Sequence, residues 1–140
     1  MQLTAFTVLL ASGLASAGTA AIPDPNCNIF SDIPASAVGV RNIVNFLQSI
    51  PGTSAYADPS SGGGTACSYV SAGAQDTRNA CAYLCSRNGQ STHLTYGKIS
   101  DYISVILNDC DVDNDGRLNG NISGDEGTGQ FNIDVHECTA

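Results

Sequence analysis

Three aspartates at alternate positions, Asp111, Asp113 and Asp115, are followed at once by Gly116 and, two residues on, by Leu118. This is the first half of a calcium loop: D-x-D-x-D-G curls three carboxylates round one point, glycine makes the sharp turn, and an aliphatic residue follows. The second half is missing, because Ile122 stands where the bidentate glutamate belongs. Asp125 or Glu126 would have to complete the oxygen shell from further along. The competing reading, a solvated Asp/Asn/Gly turn between a helix and a strand, is the one favoured here. The expectation is therefore no cofactor, with calcium on Asp111, Asp113 and Asp115 as the alternative. Asn121-Ile122-Ser123 in the same stretch is an N-glycosylation sequon, expected on an exposed loop.

The second set of chemistry-bearing residues is the cysteines: Cys27, Cys67, Cys81, Cys85, Cys110 and Cys138. Their even number in a short chain predicts a disulfide framework, provided the compartment is oxidising. The N-terminus supplies that condition. Leu3 to Ala15 are almost all apolar or small, and Ala15-Ser16-Ala17 is an A-x-A cleavage site. Residues 1–17 thus read as a secretory signal peptide and 18–140 as a single disulfide-rich domain, exported and extracellular. A zinc site fits poorly, since no C-x2-C pair exists and Cys81-Ala-Tyr-Leu-Cys85 has no matching second pair of ligands. We expect no free thiol. Cys138 should tie the C-terminal strand to the sheet, with Cys67 the expected partner. Cys110 should reach Cys27 or the Cys81/Cys85 pair.

Catalytic chemistry has little to work with, and no catalytic residue is assigned. The two histidines, His93 and His136, fall after a turn and on the expected solvent face of the last strand. No G-x-S-x-G marks an activated serine, and paired cysteines leave no thiolate. A small ribonuclease-like hydrolase could use His93, His136, Glu137 and an arginine, which keeps hydrolysis as the alternative function.

The charge balance narrows the partners. Thirteen acids stand against five bases, for a net charge of −8, and eight of the acids lie in the last quarter against Arg117 alone. A field of this sign disfavours nucleic acid and anionic membrane surfaces. After the leader, no apolar run comes near membrane-spanning length.

The elements that must position these groups follow from periodicity and punctuation. Asn26 to Phe30 reads as a short strand carrying Cys27. Val40, Ile43, Val44 and Leu47 sit at helical spacing in a first helix of about residues 35–50, ended by Pro51-Gly52. Residues 52–64 form a loop rich in Ser, Gly, Ala and Pro. Thr65 to Ser71 and Asn79 to Ser86 are strand-like, with Cys81, Tyr83 and Cys85 alternating onto one face. Ile99, Tyr102, Ile103, Ile106 and Cys110 make a continuous apolar stripe on a second helix with Thr95 as N-cap. Phe131, Ile133 and Val135 alternate with Asn132, Asp134 and His136 in a half-buried last strand closed by Cys138. The order is β-α-β-β-α-β, a split βαβ arrangement: an α+β domain with two helices on one face of a four-stranded antiparallel sheet.

Three stretches, Ala80-Cys81-Ala82-Tyr83-Leu84, the helix Ile99 to Cys110 ending in Asn-Asp-Cys, and Gly129-Gln130-Phe131-Asn132-Ile133-Asp134-Val135 before Cys138, carry a resemblance over roughly residues 65–140. The pattern resembles secreted fungal killer-toxin-like proteins of the smut-virus type: a cysteine-bearing strand, a helix ending in Cys, and a terminal strand before a final Cys. More broadly the chain looks like a fungal small secreted cysteine-rich effector. It departs from the toxins in having Cys85, in lacking a second Cys after the helix, and in placing acids where they are basic. No toxin-active basic residue therefore carries over. Leader, bridges, acidic surface and the lack of a catalytic constellation together point to an effector-like or elicitor-like protein that acts by binding an extracellular protein or surface of a host or competitor, as monomer or homodimer.

Overall fold

The computed structural model describes residues 21–27, 29, 32–59, 64–111, 116–125 and 129–138. The predicted signal peptide, Asp113 and Asp115 lie outside the described residues. Among the described residues are eleven elements: β1 (Asn26–Cys27), β2 (Ala35–Ser36), α1 (Ala37–Ser49), β3 (Ser54–Ala57), β4 (Cys67–Tyr69), β5 (Ala80–Ser86), β6 (Thr92–Thr95), α2 (Tyr96–Cys110), β7 (Arg117–Leu118), β8 (Gly120–Asp125) and β9 (Gln130–Glu137).

Both helices form where apolar residues recur on one side and a hydroxyl caps the start. Ser36 Oγ accepts from the Gly39 N–H at 3.4 Å and opens α1, whose Val40, Ile43, Val44 and Leu47 are buried. Thr95 Oγ1 accepts from the Lys98 N–H at 3.3 Å, as its N-cap position predicts, and α2 buries Ile99, Tyr102, Ile103, Ile106 and Cys110. The two helices pack together and share one core with Ala82, Leu84, Ile122, Phe131, Ile133 and Val135 of the sheet. All the apolar side chains of β9 thus point to the helix side. Gly39 lets α1 sit directly on the backbone at Thr77, whose carbonyl oxygen fills the place a Cβ would take.

The predicted α+β class with two helices on one face of an antiparallel sheet is what folds. The predicted four strands are not. The main sheet has five, in the order β1-β8-β9-β5-β4, every neighbouring pair antiparallel, and two small ribbons, β2–β7 and β3–β6, flank it. The predicted β-α-β-β-α-β order fails because β8 enters the sheet from a stretch that reads as loop. Gly120-Asn-Ile-Ser-Gly-Asp has one β-branched residue and three types, Gly, Asn and Asp, that local preference keeps out of strands. It is held instead by pairing with β9 from Gly120↔Val135 to Asp125↔Gln130, with Ile122 inserted in the core. A split βαβ does exist, but between other strands: β5 and β8 run parallel on either side of β9, joined through α2.

Three disulfides close the frame, and all six cysteines are paired. Cys27–Cys110 ties β1 to the end of α2, one of the expected pairings. Cys138 bonds Cys81, not the expected Cys67, which bonds Cys85. The register gives the reason. Cys67 lies directly opposite Cys85, with Cα atoms 4.0 Å apart, while β9 runs past β5 so that Cys138 follows the Ala80↔Glu137 pair, beside Cys81. Among the described residues no helix is long and apolar enough to cross a membrane.

Candidate functional site

The side of the sheet away from the helices is where polar chemistry collects. Strand alternation sends Asn132, Asp134 and His136 of β9 outward between the buried Phe131, Ile133 and Val135. Pairing then aligns these residues in rows across the strands. One row runs Asn26, Asn121, Asp134, Tyr83, Tyr69 through successive partners. The next runs Ser123, Asn132, Cys85, Cys67, so the second ends on a disulfide. An open cleft of about 390 Å³ lies over the second row and the Asn121–Asp134 part of the first, with Thr65, Ser86 and Arg87 completing its lining; Tyr83 and Tyr69 stand outside it, further along the first row.

The cleft floor is a connected hydrogen-bond chain. Ser123 Oγ donates to Asn132 Oδ1 at 3.0 Å, and Asn132 Nδ2 donates to Asp134 Oδ1 at 2.5 Å. Asn121 lies directly opposite Asp134 in the β8–β9 pairing. The other oxygen, Asp134 Oδ2, lies 3.4 Å from Cys85 Sγ, a disulfide sulfur with no proton to donate. Burial raises the Asp134 pKa above its ordinary 3.8; His136 and the two asparagine amides oppose the rise, and the Asp32 charge adds to it. A half-buried carboxyl pushed toward its neutral form by desolvation is a feature of functional clefts, though structural networks produce it too.

Aromatic rings continue the first row. Tyr83 stacks on His136 at 5.3 Å between centroids, with planes 14° apart, and meets Tyr69 at 5.4 Å on its other side. Tyr69 is exposed. The His136 Nδ1 lies 2.7 Å from the Glu137 carbonyl oxygen, which only accepts, so Nδ1 carries the proton. The face thus combines flat aromatic surface, amides, a hydroxyl and a carboxyl, with Arg87 at the rim.

The groups singled out in the sequence fall differently. His93 sits in the β3–β6 ribbon and stacks on Tyr56 at 5.4 Å. Glu137 binds Arg117, with Nη2 3.2 Å from Oε2. His93 is therefore apart from His136 and Glu137, and the Glu137 carboxylate is held by Arg117. Asn121 is not in a loop but in β8, half-buried at the cleft. Asp111 ends α2, its buried Oδ1 without a hydrogen bond among the described residues, and the remaining calcium-loop aspartates lie outside them. What the sequence reading missed is Asp134 with Asn132 and Tyr83. The alternation of β9 already placed Asn132, Asp134 and His136 on one face; the register that adds Asn121 and Tyr83 needed β8 to be a strand.

No family model, curated protein or solved structure matches the chain.

Proposed function

We propose that this chain is a secreted binding protein of the effector type, and that the outer face of its main sheet meets the extracellular protein or surface it targets. The observation that carries the reading is that face itself. Among the described residues the helices cover the five strands on one side, and the other side presents ordered polar rows, two tyrosines and a histidine. Two of the three disulfides lie on it, Cys67–Cys85 across β4 and β5 and Cys81–Cys138 at the end of β9. Cross-links of this kind hold a surface in shape where no cell maintains it. The acidic balance supports a neutral or basic partner over a nucleic acid.

The test is quantitative binding of labelled protein to intact plant and microbial cell walls. Tyr69→Ala and Asn132→Ala should weaken it, whereas Arg41→Ala and Asn45→Ala on the exposed side of α1 should not. Equal binding by all four variants would reject the outer face as the contact surface.

A second reading, a ribonuclease-like hydrolase, is favoured by one observation: a carboxyl with a raised pKa, Asp134, beside a histidine in a cleft. Against it, Arg87 is the one cationic side chain among the described residues lining that cleft, and phosphate-directed chemistry asks for more. Turnover of RNA that disappears in Asp134→Asn would establish it in place of the binding reading.

A further inference from the structure

We propose that the outer sheet face binds an extended neutral oligosaccharide lying across the strands, from the cleft at Asn121 and Asp134 over Tyr83 to Tyr69 beyond it. The proposal rests on the binding reading above and supplies its ligand class. Cross-strand side chains recur every ~4.8 Å, close to the advance of one ring in an extended pyranose chain. A single row therefore meets successive sugar rings. This row begins with an amide and a carboxyl and ends with two tyrosine rings whose centroids are 5.4 Å apart. A pyranose has C–H faces that suit an aromatic ring and a rim of hydroxyls that both donate and accept. The exposed ring of Tyr69, backed by Tyr83, matches the faces; Asn121, Asn132, Asp134 and Ser123 match the rim.

Preorganisation and charge point the same way. The Ser123–Asn132–Asp134 chain is fixed before any ligand arrives, at 3.0 and 2.5 Å, so little side-chain ordering is left for binding to impose. Phosphate or sulfate esters would approach the Asp134 carboxyl in a chain of net charge −8. A peptide strand would join a sheet edge through its backbone. The cleft instead lies over β9, whose backbone is already paired on both sides. Asn121 is also the sequon asparagine, so a glycan attached there would start at the head of the same row and compete for it.

The experiment uses mature protein from an oxidising compartment of a host that does not N-glycosylate. Neutral oligosaccharides derived from chitin, cellulose, β-1,3-glucan and mannan are titrated while backbone amide NMR shifts are followed, with heparin and RNA as anionic arms. The expected result is saturable binding of at least one neutral series, with shifts confined to β4, β5, β8 and β9. Tyr69→Ala and the near-isosteric Asp134→Asn should each weaken it by about tenfold or more. No saturable binding of any neutral series at millimolar concentration, shifts elsewhere, or preferential binding of an anionic polymer at this face would each overturn the proposal. If Tyr69→Ala weakens cell-wall binding although no neutral sugar binds, the ligand class fails and the binding face stands. If Tyr69→Ala leaves cell-wall binding intact, the face fails, and the ligand class with it.

Discussion

The Asp134 carboxyl accepts from Asn132, faces a disulfide sulfur and shares its field with His136 and Asp32. Because burial raises its pKa above 3.8, the native state binds more protons than the unfolded chain between that value and the raised one. Stability from this group therefore falls as pH rises through that window, and the cost is complete above it. Asp134→Asn keeps the oxygen that Asn132 uses and turns an N–H toward Cys85 Sγ. It should remove that part of the pH dependence and leave the variant at least as stable at neutral pH. Urea unfolding at a series of pH values checks this, and an unchanged slope in the variant would contradict it. Gly39 offers a second test, decided by sign. Gly→Ala inside a helix ordinarily stabilises by about 1 kcal/mol. Here the new Cβ would meet the Thr77 carbonyl, and the loss should instead be about 1–3 kcal/mol or more. A stabilised Gly39→Ala in thermal or urea unfolding would show that α1 does not sit on Thr77.

At the scale of elements, the helices and the long strands were legible because each carries its own periodicity. The Ile99–Cys110 stripe predicted α2, Thr95 its cap, and the Phe131–Val135 alternation the burial of β9. β8 was hidden, since its residues favour turns and only the neighbouring strand makes it one. The same blindness misplaced Asn121 and half of the cleft. The Cys138 partner was missed for a related reason: pairing is decided by register, and register between distant segments leaves no local mark. The bridges also differ in what they should contribute. In the chain-entropy view the Cys27–Cys110 link, 83 residues apart, contributes about 4–5 kcal/mol, and Cys67–Cys85, 18 apart, about 3 kcal/mol. Paired Cys→Ala variants should rank accordingly in urea unfolding, with loss of the first also loosening β1 and the end of α2. The opposite order would mean that packing, not loop closure, sets the difference.

For the molecule as a whole, fold and site divide the sheet between its two sides. The helix side holds the core; the outer side holds ordered polar groups that the fold does not need for burial. The charge of −8 and the cysteine framework could be read at once from composition, and both bear on compartment and partner class more than on the site. The site was partly legible, in the outward residues of β9 alone. The most direct measurement is the cell-wall binding comparison between Tyr69→Ala with Asn132→Ala on the outer face and Arg41→Ala with Asn45→Ala on α1. The outer-face pair should lose about tenfold or more in affinity, with the helix pair indistinguishable from the parent. Equal affinity for the two pairs, or loss only in the helix pair, would contradict the assignment of the outer sheet face as the binding surface.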